Sequence, residues 1–157
     1  STLEEGQTWY DLLVSEELTF DKHFEIVNYC KEQNIEFLST PYDEESLDLI
    51  KNLDIDILKI ASCSCIDIPL INKISKMNYP IVASTGGASD SEIDYLVTAL
   101  ENAGADFALN HCIAIYPTPK EKLQLNQIEY LKKKSPNFIE RIIKSLKIIS
   151  LNTFFTF

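Results

Sequence analysis

The chain has 157 residues, with 14 Lys and Arg against 24 Asp and Glu, a formal net charge of −10. Hydrophobic residues make up 45%, with only 4 Gly and 6 Pro; this is the profile of one globular domain with a sizeable core, not of a disordered or fibrous chain. The acidic balance argues against a nucleic-acid or anionic-membrane surface, both of which need clustered Lys and Arg, and no apolar run approaches the roughly 18–20 residues of a membrane span.

The opening STLEEGQTWYDLL is acidic and lacks the basic-then-apolar pattern of an export signal. The expectation is therefore a cytoplasmic chain whose four cysteines are reduced thiols. A first helical face follows at Phe24, Val27 and Cys30, with His23 on its solvated side. Segment 35–40 (IEFLST) reads as a buried strand. Asp43 then caps a helix with Leu47, Ile50 and Leu53 on one face, and 57–62 (ILKIAS) is the next strand. Pro69 suits the first turn of a helix backed by Leu70, Ile71 and Ile74. After strand 81–85 (IVAST), Ser89 and Glu92 have capping-box spacing ahead of the stripe Ile93, Leu96, Val97 and Leu100. Gly104 stands where a C-terminal cap belongs. Strand 107–112 (FALNHC) and a helix over 126–134 complete the ordered pattern. The acidic runs Glu4-Glu5, Glu16-Glu17 and Asp43-Glu44-Glu45 read as helix starts or solvated faces.

Alternating strands and helices predict an α/β fold with about four parallel strands and crossover helices. The candidates are an open doubly wound sheet, whose strand order reverses, and a partial (β/α)₈ TIM barrel, whose strands stay sequential neighbours. A full barrel averages about 250 residues, so 157 residues hold roughly five of its eight units.

Ligands of such folds sit at the C-terminal ends of the strands. Those ends read Ser39-Thr40-Pro41, Lys59-Ile60-Ala61-Ser62, Ser84-Thr85-Gly86-Gly87 and His111-Cys112, with Tyr116 shortly after. Hydroxyls recur on one rim, and the backbone N–H groups around Gly86-Gly87 suit a phosphate or carboxylate. Lys59 interrupts an apolar run. On a strand it shares a face with Ala61, while Leu58 and Ile60 face the other way. A sheet covered on both faces buries its ammonium, which then needs an anionic partner. That partner is either a ligand anion or a structural carboxylate, unless the strand is an edge and Lys59 lies in water. His111 is either an acid/base candidate or a hydrogen-bonded structural residue. Cys63, Cys65 and Cys112 lack zinc-site spacing and read as small core thiols.

Taken in order, Phe37-Leu38-Ser39-Thr40-Pro41-Tyr42-Asp43, Leu58-Lys59-Ile60-Ala61-Ser62, Ile68-Pro69-Leu70, Ser84-Thr85-Gly86 and His111-Cys112 followed by Tyr116-Pro117-Thr118-Pro119 resemble the sialic-acid synthase (N-acetylneuraminate synthase) family. The match runs from about residue 10 to 137. The resemblance implies a (β/α)₈ barrel of which this chain carries the third to sixth strands, in residues 1–137, with 138–157 a divergent tail that is truncated, out of frame, or a last helix covering the sheet edge. It implies condensation of phosphoenolpyruvate with an N-acyl amino sugar such as N-acetylmannosamine, with release of phosphate. Thr40, Lys59, Ser62 and Ser84 match the family's phosphoenolpyruvate contacts, and Tyr116 a sugar-contacting tyrosine. A divalent metal, Mn or Mg, polarises the sugar carbonyl in the family, and its histidine ligands fall outside the matched segment. Departures are Ser64 where an acidic residue is usual, Ile113 and Ala114 where small polar residues are usual, and Gly87 for a common Met. Expected partners are a homodimer mate or the missing half of the barrel. The competing reading is a non-catalytic half-barrel that binds an anion or a partner.

Overall fold

The computed structural model describes residues 6–115 and 117–135. Its first helix, α1 (Trp9–Glu16), is one that hydrophobic spacing does not announce. It starts because the Thr8 side chain accepts the Asp11 N–H while the Asp11 carboxylate accepts the Thr8 N–H, a reciprocal capping box. Glu16 and Glu17 close this helix rather than open one. Then come α2 (Phe20–Glu32), β1 (Leu38–Ser39), α3 (Glu44–Asn52), β2 (Ile57–Ile60), α4 (Ile68–Ile74), β3 (Ile81–Ser84), α5 (Asp90–Asn102), β4 (Phe107–Asn110) and α6 (Gln127–Lys134). Short 3₁₀ turns occupy Ser62–Ser64 and Lys120–Lys122.

Helices α3, α4 and α5 begin on side-chain caps. The Asp43 side chain accepts the Ser46 N–H at 2.7 Å to start α3. Asp67 caps α4, with Pro69 in the first turn. Ser89 and Glu92 form a complete capping box on α5. Gly104 has φ +67° and ends α5, its N–H donating to the Glu101 carbonyl and the Ala105 N–H to that of Leu100. This is a Schellman closure. Asn34, at φ +55°, closes α2 in the same way through the Lys31 and Cys30 carbonyls.

All the described strands pair in parallel in the order β1-β2-β3-β4, with no reversal point among them. That order belongs to a barrel segment and not to a doubly wound sheet. The core takes one parity of each strand: Leu58 and Ile60 from β2, Ile81 and Ala83 from β3, Phe107 from β4. These pack with Val27, Leu47, Ile50, Leu70, Ile71, Ile74, Ile93, Leu96, Leu100 and Leu131 of the helices. Each such side chain stabilises the fold by roughly 1.5–3 kcal/mol before entropy is counted. The opposite parity, Lys59 included, forms the second face of the sheet.

Several expectations need correction. The first strand is two residues long, not 35–40, because the turn at Asn34 delays it and β1 bonds only to β2; Ile35 is consequently exposed. Phe24 is exposed and leaves Val27 as the buried residue of α2. Ser62 lies in a 3₁₀ turn beyond its strand. His23 is half-buried, its Nδ1 3.0 Å from the Thr19 carbonyl oxygen. The tail 138–157 lies outside the described residues. No described helix is long and apolar enough to cross a membrane.

Two substitutions test the helix signals. Ser89→Ala is expected to lower the unfolding free energy by about 1 kcal/mol through loss of the cap. Gly104→Ala is expected to cost about 1–2 kcal/mol through its left-handed backbone alone, since a β-carbon there meets nothing within 4 Å. Urea unfolding with an unchanged m-value checks both.

Candidate functional site

The register places the site residues before any side chain is considered. Lys59 aligns with Val82, Val82 with Ala108, and Ser84 with Asn110. These residues share one parity, opposite to that of the packed core. Continuing the β1–β2 register by one residue brings Thr40 beside Lys59. Lys59, Ser84 and Asn110 thus project from the same face, toward the C-terminal ends of adjacent strands, and Thr40 follows directly after β1.

Lys59 is 5% exposed, so the reading of an edge lysine in water is excluded. Burial pushes its pKa below the ordinary 10.5, and the neighbouring thiols of Cys112 and then Cys63 pull it partly back. Cys63 also raises the pKa of Tyr42, whose main cause is burial. Residues following β2 and β4 therefore act on one ammonium. Cys65 is a core thiol as expected, whereas Cys63 is exposed. The turn that follows β2 rolls Cys65 inward and Cys63 toward the rim.

The rim is tied by three hydrogen bonds. Ser62 Oγ accepts the Gly86 N–H at 3.1 Å, joining the ends of β2 and β3. The Gly86 N–H counted as an anion donor is thereby engaged, and its serine acceptor keeps its own hydroxyl proton to donate. The Thr85 N–H and Oγ1 both donate to the Asn110 carbonyl, at 3.1 and 3.2 Å. Gly86 is required by crowding. A β-carbon there would stand 3.0 Å from Cys112 Cβ, 3.0 Å from Ser62 Oγ and 3.3 Å from the Cys112 carbonyl oxygen.

The candidate residues divide as follows. Lys59 and Ser84 are buried, Ser84 completely; Thr40 and Ser62 are half-buried at the rim. Tyr116 lies outside the described residues. His111 Nε2 is 2.9 Å from the Leu123 carbonyl oxygen, which gives the imidazole a structural bond, and its ring borders a polar cavity of about 270 Å³ shared with Thr85, Gln124, Gln127 and Tyr130. Asn110 is the residue that sequence reading missed. Its Nδ2 donates to Ser84 Oγ and to Cys112 Sγ, both at 3.4 Å. The signal was a polar residue closing the apolar run FALN two positions after Ala108, on the lysine face. Among the described residues no three His, Cys, Asp or Glu side chains cluster as a metal site requires. The described residues alone do not fit the metal that the resemblance implies.

Sequential parallel strands, helices packed on one face, and a buried lysine with hydroxyls on the other define a segment of a (β/α)₈ barrel. A family model described as the NeuB family matches residues 1–139, and the chain belongs to that family. It is 39% identical over 119 residues to an N,N'-diacetyllegionaminic acid synthase of Campylobacter jejuni, covering 74% of this chain and 36% of that one. It is 31% identical over 133 residues to the N-acetylneuraminate-9-phosphate synthase of Drosophila melanogaster, covering 84% and 36%. Among solved structures, an N-acetylneuraminic acid synthetase of Leptospira borgpetersenii in complex with citrate superposes with a TM-score of 0.72 at 31% identity, covering 75% of this chain and 41% of the other. The chain thus spans little more than a third of the length of these curated relatives, which are sugar-acid synthases.

Two outcomes follow from this geometry. Gly86→Ala is expected to destabilise by about 1–3 kcal/mol through overpacking, read by denaturant unfolding. Lys59 carries a depressed folded-state pKa, so its charged form opposes folding at neutral pH. That penalty is relieved as pH rises from the depressed value toward 10.5, because the unfolded chain there binds more protons than the folded one. Lys59→Met is therefore expected to exceed the wild type in stability at pH 7. The difference should shrink as pH climbs toward 10.5, as measured by urea unfolding at each pH.

Proposed function

We propose that this chain is the phosphoenolpyruvate-binding segment of a sialic-acid-type synthase, which condenses phosphoenolpyruvate with an N-acyl amino sugar and releases phosphate. The observation that carries this reading is the buried Lys59 inside β2, on the same sheet face as Ser84, which ends β3 where barrel ligands bind. An ammonium held away from bulk water attracts a multiply charged phosphate or carboxylate far more strongly than a surface lysine does. The hydroxyls of Ser84, Ser62 and Thr40 add directional donors that a point charge lacks.

In this reading C3 of the enol attacks the open-chain sugar aldehyde, water adds at C2, and phosphate departs. The chain's contribution is to hold the enol phosphate in position, which lowers the entropic part of the barrier. The amino sugar would meet Tyr116. The divalent metal, Mn or Mg, and its ligands would come from barrel segments that the relatives carry beyond the length matched here. The outer strands of the described sheet, β1 and β4, are the edges where a homodimer mate or the rest of the barrel would pair. A cytoplasmic setting with reduced thiols suits this chemistry. A non-catalytic, anion-binding half-barrel is the second reading. It is favoured by Ser64, which is buried and brings no carboxylate to a place where the family usually has one.

Titration calorimetry separates these readings from a purely structural lysine. The chain is expected to bind phosphoenolpyruvate, and Lys59→Met to bind it at least about tenfold more weakly while remaining folded, as loss of a charge-assisted contact predicts. Equal binding by the two proteins would contradict the assignment. The chain alone, given phosphoenolpyruvate, N-acetylmannosamine and Mn²⁺, is expected to release no phosphate. Release is expected on mixing with polypeptides that carry the remaining strands of a relative, and its absence there would favour the non-catalytic module.

A further inference from the structure

Asn110 closes β4 on the lysine-bearing face, aligned with Ser84 of β3. A side-chain amide has two N–H donors on one nitrogen, and Asn110 directs them to Ser84 Oγ and Cys112 Sγ, both at 3.4 Å. Its backbone carbonyl meanwhile receives two bonds from Thr85, which fixes the end of β4 against the end of β3. The asparagine is thus clamped by its main chain and spends its side chain on the completely buried Ser84. A hydroxyl has one proton and two lone pairs. When Asn110 donates to the Ser84 oxygen, the Ser84 proton cannot point back along that bond. It is left for another acceptor, and Lys59 stands on the same face of the sheet.

We propose that Asn110 is a positioning residue that orients the Ser84 hydroxyl as a hydrogen-bond donor to the enol-phosphate anion beside Lys59. The inference rests on the phosphoenolpyruvate reading above and extends it to a residue that never touches the ligand. Without the amide, Ser84 is free to turn its proton toward another acceptor and presents a lone pair to the anion, which repels. The ionisable groups that act on Lys59 here are Cys112 beyond β4 and Cys63 in the turn after β2.

A double-mutant cycle tests it, with phosphoenolpyruvate binding read by titration calorimetry on the full chain. Ser84→Ala and Asn110→Leu are each expected to weaken binding by about tenfold, the size of one hydrogen bond to a charged group. The double variant Ser84→Ala/Asn110→Leu should bind no more weakly than either single variant, because the asparagine acts only through the serine. Asn110→Ala, which removes the amide without adding charge or bulk, should weaken binding as much as Asn110→Leu; it also carries the test should the leucine variant misfold. Losses that multiply to about a hundredfold in the double variant would assign Asn110 an independent, structural role and overturn the proposal. So would Asn110→Leu and Asn110→Ala binding within twofold of wild type while Ser84→Ala and Lys59→Met are weakened, a result that leaves the phosphoenolpyruvate reading standing. Wild-type binding in Lys59→Met and Ser84→Ala would overturn both.

Discussion

An ammonium inside a sheet is tolerated only where its surroundings answer its charge, and Lys59 sets that condition for the strands around it. It sits 5% exposed in the middle of β2, flanked by Leu58 and Ile60, which are fully buried on the opposite parity. Strand geometry leaves it no other direction to point. The thiols of Cys112 and Cys63 moderate the penalty, but burial still outweighs them. In the function proposed above, a phosphate or carboxylate at this lysine would gain from the low-dielectric setting.

The scaffold serves that arrangement by keeping its two sheet faces chemically distinct. One parity joins the helices in a continuous aliphatic core; the other carries Lys59, Ser84 and Asn110. The ends of β2, β3 and β4 are then stitched together through Ser62 to Gly86, Thr85 to Asn110, and Asn110 to Ser84. Such cross-links matter because loops at strand ends would otherwise place their donors loosely. Gly86 allows the strand-end backbone to pass within van der Waals range of both Ser62 and Cys112.

Much of the fold was legible because local chemistry and tertiary structure agree. Asp43, Ser89 with Glu92, and Gly104 start or stop helices as their side chains dictate. The period-two argument at Leu58-Lys59-Ile60 assigned the lysine to the correct face. Other features were hidden for physical reasons. The capping box of α1 lies beside a helix with little apolar periodicity. The strand after α2 begins late because Asn34, not a glycine, takes the left-handed closing position. Within the site, Lys59 could be singled out as an anomaly in an apolar run, whereas Asn110 looked like an ordinary polar strand end. Its importance arises from cross-strand register, which places it against Ser84 and which no single strand encodes. The Gly86 N–H illustrates the reverse error: a donor expected for a ligand is spent on Ser62.

The measurement that addresses the central claim most directly is the titration of the Lys59 ammonium itself, followed by the ¹³Cε chemical shift of labelled lysine with and without phosphoenolpyruvate. The account predicts a pKa below 10.5 in the free chain, because burial dominates there, and a rise when the anion binds. A Lys59 that titrates at the ordinary lysine value and does not respond to phosphoenolpyruvate would contradict it.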